Sequence, residues 1–260
     1  VGAAGVSIWV GTSGYNYPEW KGSFYPETLP AAKMLPYYAE RFPTVEINYT
    51  FYRAPNEKIL DGWNKATPDR YKLTLKAPKR ITHDARLRDC GDRVRQFLET
   101  AATLGPKLGA LLFQLAPNFK KDLPLFDAFL DTFPPRVCAA FEFRHTSWLD
   151  EEVYARLRAR NLALCLADSE RLSTPIEITA DYAYFRLRDE GYQEADIAKW
   201  ADIIRERTSG CQEVFVYFKH EESGKGPEFA KLLMSHLDGV RSCFLAEAPA
   251  PGQKSRSDPD

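Results

Sequence analysis

The chain has 260 residues, 35 Lys plus Arg against 36 Asp plus Glu, a formal net charge of −1, and 44% hydrophobic residues. Near-neutral charge excludes attachment to nucleic acid or lipid through bulk charge, while leaving room for a local basic patch. No apolar run approaches the roughly 20 residues that cross a bilayer, and five cysteines without a C-x-x-C argue against a disulfide scaffold or structural zinc site.

Residues Val1 to Val6 lack the charged and apolar regions of a signal peptide. With the reduced thiols, this gives cytoplasmic localisation as the expectation. Short β-type runs then recur at Ser7–Thr12, Thr44–Tyr49, Tyr71–Lys76, Gly109–Leu115, Cys138–Phe143, Leu162–Asp168, Tyr182–Leu187 and Val214–Lys219. One run per roughly thirty residues is the repeat of a (β/α)8 barrel. Helical stripes lie between them: Leu35, Tyr38, Ala39 and Phe42; Val94, Phe97, Leu98, Ala101 and Leu104; Phe126, Phe129, Leu130 and Phe133; Phe229, Leu232, Leu233 and Leu237. Asp122 followed by Pro124 reads as a helix start. Ser147 to Asp150 has capping-box spacing ahead of a helix over Glu152–Arg160. The Ser/Thr/Pro-rich segment Arg171–Ala180 shows no stripe, so the helix after strand six is expected to be short or irregular. The expectation is an α/β fold: a single TIM-like barrel over residues 1–246 and a disordered tail over 247–260.

Side chains alternate along a strand, and barrel sites form at the C-terminal strand ends. Those ends are crowded with polar groups: Glu46 and Asn48, Lys76, Gln114, Glu142 and Arg144, Asp168, Arg186 and Arg188, Lys219 and His220. Five cations (Lys76, Arg144, Arg186, Arg188, Lys219) against Glu46, Glu142 and Asp168 give 5 − 3 = +2 in a chain whose total is −1. Such a cleft attracts anions, and arginine forks suit phosphate or carboxylate. The competing reading is a closed polar network that plugs the barrel mouth.

Six motifs occur in order: Gly11-Thr12-Ser13-Gly14-Tyr15 with Trp20 and Phe24-Tyr25-Pro26; Glu46-Ile47-Asn48-Tyr49-Thr50-Phe51-Tyr52; Lys76-Ala77-Pro78 with Ile81-Thr82-His83; Gln114-Leu115-Ala116-Pro117; Glu142-Phe143-Arg144-His145 with Ser147-Trp148; and Asp168-Ser169. Together they resemble the DUF72 (YecE-like) family, over nearly the whole chain up to about Leu237. The resemblance implies a TIM-like barrel and brings no settled activity. A likeness to endonuclease IV and xylose isomerase barrels is fold-level analogy. Where that family's strand seven ends Arg-x-His-Gly, this chain reads Arg186-Leu187-Arg188-Asp189. Where strand eight continues Tyr-Phe-Asn-Asn, it reads Tyr217-Phe218-Lys219-His220. Both differences add cations at the mouth.

The leading expectation is a cytoplasmic barrel that binds an anionic, phosphate-bearing ligand (a nucleotide or nucleic acid) and hydrolyses it by metal-independent acid–base chemistry. Glu142 or Asp168 would be the base and His83 or His145 the acid, with Glu46 beside them. Ser13, Tyr15, Asn48, Lys76, Gln114, Arg144, Trp148, Arg186, Arg188, Lys219 and His220 would hold the ligand. A divalent metal is not favoured, because the chain has 4 histidines, none in H-x-x-x-H spacing, and lysines and arginines crowd the ends. Two alternatives are a non-catalytic nucleic-acid binder, with the aromatic loops as a stacking platform, and a glycosidase pairing Glu46 with Glu142.

Overall fold

The computed structural model describes residues 5–169, 172–222 and 224–237. The eight predicted strands are all present: β1 (Ser7–Thr12), β2 (Thr44–Ile47), β3 (Lys72–Lys76), β4 (Leu108–Gln114), β5 (Ala139–Glu142), β6 (Ala163–Asp168), β7 (Tyr182–Leu187) and β8 (Glu213–Phe218). All pairs are parallel, in the order β1-β8-β7-β6-β5-β4-β3-β2. The two ends of this sheet meet at a bridge between Ser13 and Glu46, so the sheet curls into a nearly closed TIM-like barrel.

The seam between β1 and β2 has a specific construction. A Cβ on Gly11 would lie 2.2 Å from the Thr44 carbonyl oxygen, so glycine is needed where the two backbones come together. In place of a full ladder, the buried Tyr38 hydroxyl accepts from the Thr12 N–H at 2.7 Å and donates to the Thr44 carbonyl at 3.2 Å. Tyr38 comes from α1 (Met34–Ala39), the first predicted stripe.

Further helices are α2 (Tyr49–Tyr52) and α3 (Glu57–Lys65) after β2, then α4 (Gly91–Ala102), α5 (Leu123–Leu130), α6 (Glu151–Ala159), α7 (Glu194–Arg207) and α8 (Lys225–Leu237). Asp122 caps α5 as predicted, accepting from Leu125 N–H. The start of α6 differs from the prediction. Asp150 in extended backbone is its N-cap, accepting from Val153 N–H, while the Ser147 hydroxyl accepts from Lys121 N–H. No helix forms in 172–181. The Thr174 and Thr179 hydroxyls there bond to the β6 backbone at Ala167 and Leu164, a local competition that disfavours a helix. The expected tail, 247–260, and Cys243 lie outside the described residues. Cys90, Cys138, Cys165 and Cys211 are free thiols.

Period two decides what the barrel holds. Trp9, Tyr184, Phe215 and Tyr217 fill its interior against the small Ala110, Ala140, Ala163 and Cys165. The alternate residues, such as Val10, Leu111, Phe141 and Phe185, pack outward beneath the helices. Above the aromatic layer, at the C-terminal strand ends, the interior turns polar.

Candidate active site at the barrel mouth

The mouth is built in two levels. The lower level is a buried ionic layer centred on Arg186 from β7. Its Nε and Nη2 donate to the two Glu46 oxygens at 3.0 and 2.8 Å, and its Nη1 donates to Glu142 Oε2 at 2.5 Å. Nη2 also donates to Ser13 Oγ at 3.1 Å and Nη1 to Gln114 Oε1 at 3.5 Å. All five guanidinium N–H groups are thereby occupied. Glu46 further accepts from the hydroxyls of Ser13 and Tyr184. Glu46 and Glu142 are 0% exposed, Ser13 and Arg186 1%.

Burial alone would raise both carboxyls, but Arg186 outweighs it, and both lie below the usual range. Arg144 and Arg188 add to the effect at Glu142 and hold it at about 2. A carboxylate this acidic is a poor proton acceptor near neutral pH. Glu142 therefore acts here as a counter-charge, against its expected role as base.

The upper level holds the remaining cations. Arg144 and Arg188 reach the same Glu142 oxygen at 3.3 and 3.7 Å. Lys219 approaches Glu221 at 3.4 Å. The Lys76 Nζ lies 4.2 Å from the centre of the Phe51 ring and makes no hydrogen bond or ion pair among the described residues. Burial, followed by like charge from Arg186, pushes both Lys76 and Lys219 down, Lys76 to about 7. The count is now Lys76, Arg144, Arg186, Arg188 and Lys219 against Glu46, Glu142 and Glu221, or 5 − 3 = +2, because Asp168 is not among them and Glu221 is.

A hollow of about 630 Å³ opens over this layer, lined by Tyr15, Tyr17, Asn48, Tyr49, Trp63, Lys76 and Lys219. The Gly14 turn (φ 90°) brings β1 into it, and a Cβ there would collide with the Tyr17 ring. Ser13 gives its hydroxyl proton to Glu46, so it accepts from Asn48 Nδ2 at 2.9 Å. This fixes the amide and leaves the buried Asn48 Oδ1 without a donor among the described residues. A second hollow, of about 1230 Å³, shares Lys219 and Glu221 with the first and also receives Arg188 and His220.

Several predicted site residues are elsewhere. Asp168 sits one residue out of phase with the interior-facing Cys165 and Ala163, and turns away to Tyr192 and Ser173. His145 uses Nδ1 to accept from Ser147 N–H in a helical turn. Trp148 is 0% exposed, donates to the Phe119 carbonyl and stacks on Phe143, so it packs the loop. Arg186, with every donor used, cannot also grip a ligand. His83 lies beside the mouth, its ring against Phe51, and burial with Lys76 and Lys79 nearby lowers it toward the neutral form. His220 is packed between Phe218 and Phe229 with Nε2 on the Asp189 carbonyl. Arg186 bonds to both Glu46 and Glu142, where the glycosidase alternative needs a sugar bond between the two carboxylates. Sequence reasoning did not assign Trp63 or Glu221. The sole local signal for Trp63 is an aromatic three residues after the buried Leu60 in a polar helix. Among the described residues, no group of three or more His, Cys, Asp or Glu is placed to hold a metal, and no helix is long and apolar enough to cross a membrane.

The DUF72 family, described as a protein of unknown function, matches residues 9–254. The YecE protein of Escherichia coli K12, a UPF0759 protein, is 32% identical over 139 residues, which are 53% of this chain and 48% of YecE, so that match spans about half of the relative. YunF of Bacillus subtilis is 23% identical over 89% of this chain and 95% of its own length. A DUF72 crystal structure from Thermotoga maritima superposes with a TM-score of 0.80 at 26% identity, covering 89% of this chain and 99% of that one. An Enterococcus faecalis DUF72 structure, at 20% identity and a TM-score of 0.74, shares the fold. On the motifs, the barrel and the extent of these matches, the chain belongs to the DUF72 family.

Proposed function

We propose that the barrel mouth binds a compact anionic ligand, phosphate-bearing, with a ring laid against the aromatic wall. The observation that carries this reading is the charge imbalance above the ionic layer. Arg144 and Arg188 share one oxygen of Glu142, a carboxylate that Arg186 already engages, while Lys76 has no acid partner among the described residues. Phosphate oxygens accept charge-assisted bonds from such a set. Tyr15, Tyr17, Tyr49 and Trp63 offer apolar faces in the hollow that Lys76 and Lys219 line. Asn48 Oδ1 would accept from a ligand N–H or O–H.

A polymeric nucleic acid fits less well. The adjoining larger hollow sets Arg188, Lys219, Lys225 and Lys231 against five glutamates, a local net of −1. Hydrolysis by Glu142 is not part of the reading, given its acidity.

Calorimetric titration with inorganic phosphate and with a nucleoside monophosphate tests it. Binding is expected for both, tighter for the nucleotide, and Arg144→Met/Arg188→Met should weaken it by at least about ten-fold, given ~1.5–3 kcal/mol per bond to a charged group. Absent binding, or affinity untouched in the double variant, refutes the reading.

A further inference from the structure

We propose that Lys76 is the reacting group of the mouth, its ε-amine condensing with the carbonyl carbon of an anionic aldehyde or ketone to give an imine. The inference rests on the anion-binding reading and specifies its ligand class.

Two lysines are buried in the described residues, and they are treated in opposite ways. Lys107, 8% exposed, donates to the carbonyls of Asn64 and Thr67 at 2.7 and 2.8 Å. That is the ordinary means of keeping a buried ammonium. Lys76, 9% exposed, has no acceptor among the described residues and lies against the face of Phe51. It also lines the hollow. Its backbone is held by β3 pairing and by the Thr50 hydroxyl, which donates to the Lys76 carbonyl at 2.6 Å. The amine therefore leaves a fixed point on the barrel.

The groups facing it are Glu46 from β2, Glu142 from β5, Arg186 from β7, Lys219 beyond β8 and His83 in the loop after β3. Burial leads, Arg186 and Lys219 add to it, and the two carboxylates, already engaged by Arg186, do not compensate. About half of the Lys76 amine is neutral near pH 7, against about one in a few thousand for an ordinary lysine. A neutral amine is the nucleophile such chemistry requires.

The step balances without a co-reactant. The lone pair of the neutral nitrogen attacks the carbonyl carbon as the C=O π pair moves to oxygen, and one N–H proton passes to that oxygen to give the carbinolamine. The hydroxyl takes a second proton from solvent and leaves as water as the nitrogen lone pair forms the C=N bond, and the remaining N–H proton returns to solvent, so that amine and carbonyl give imine and water. Arg144, Arg188 and Lys219 would hold the anionic end and so set which carbonyl reaches Nζ.

Pyridoxal 5′-phosphate carries an aldehyde, a phosphate and an aromatic ring, and serves as the probe on the full chain. Borohydride trapping followed by peptide mapping should place the principal adduct on Lys76, with a labelling rate that rises through about pH 7. Lys76→Met and Lys76→Arg should each lower labelling by at least about a hundred-fold, in line with the difference in neutral amine. Adducts spread over exposed lysines, a rate that rises only near pH 10, or equal labelling of the variants overturns the inference. Pyridoxine 5′-phosphate, which lacks the aldehyde, separates the two readings. If it binds while the aldehyde leaves no adduct on Lys76, the imine falls and the anion site stands. If it does not bind, the anion site itself falls.

Discussion

Replacing Arg186 by Met tests the ionic layer directly. The substitution keeps an unbranched side chain of similar length and removes five donors at once. Glu142 would keep Arg144 at 3.3 Å and Arg188 at 3.7 Å. Glu46 would keep the hydroxyls of Ser13 and Tyr184 and lose its one ion-pair partner among the described residues. The penalty therefore concentrates on Glu46, at 0% exposure. Leaving one buried partner unpaired costs about 3–5 kcal/mol, so the expected loss at pH 7 is about 4 kcal/mol, a large part of the ~5–15 kcal/mol that holds a domain together. The pH dependence has a definite sign. In the parent chain both carboxyls sit below their ordinary value of 4.5, so their contribution is present above that pH and lost as the pH falls. In the variant the Glu46 carboxyl rises above it, and a protonated acid needs no counter-charge. The gap between parent and variant should therefore shrink from pH 7 to pH 4. Urea unfolding followed by tryptophan fluorescence gives both values. Arg186→Met/Glu46→Gln should recover half or more of the loss. A single-variant cost under about 1 kcal/mol, or a double variant no more stable than the single, would refute the assignment of Arg186 as the counter-ion of this layer.

Three further predictions use other parts of the molecule. Tyr38→Phe removes the hydroxyl that joins Thr12 N–H to the Thr44 carbonyl, and should cost about 1–3 kcal/mol; unchanged hydrogen exchange at the Thr12 amide would contradict this account of the seam. Trp148→Phe strands the Phe119 carbonyl, which accepts the indole N–H at 2.7 Å, and should cost about 2 kcal/mol without altering phosphate affinity; a change in affinity would return Trp148 to the binding surface. Lys76→Met should stabilise the protein near pH 7. The Lys76 value of about 7 lies below 10.5, so the unfolded chain holds the extra proton between them and the parent gains stability as the pH rises through that window. The advantage of the variant, on the order of 4 kcal/mol at pH 7 as an upper bound, should fade by pH 10; an advantage that does not change with pH would mean that Lys76 carries its ordinary charge.

Much of the fold was legible because barrel strands write their neighbours into a local pattern. Each of the eight runs was found within a residue or two, and the period of two put Glu46 with Asn48 and Glu142 with Arg144 on one face each, which in the barrel is the inner one. Asp168 was legible as well, since it is one residue out of step with Cys165, but its position at a strand end hid the parity. Trp148 was less so: an aromatic after a strand reads the same whether it meets a ligand or packs a loop.

Composition and periodicity thus settled the architecture, because backbone geometry makes burial depend on sequence separation along a single strand. They also delivered a set of charges to one end of the barrel. Which of those charges neutralise one another is a matter of distances between residues 40 to 140 positions apart, such as Glu142 with Arg186 and Glu46 with Arg186. Coulomb energy varies with separation and with the surrounding dielectric, and neither is written in the chain order. Only the tertiary structure could turn Arg186 from a ligand-gripping fork into the buried centre of the layer, and leave Lys76 as the amine without an acid partner among the described residues.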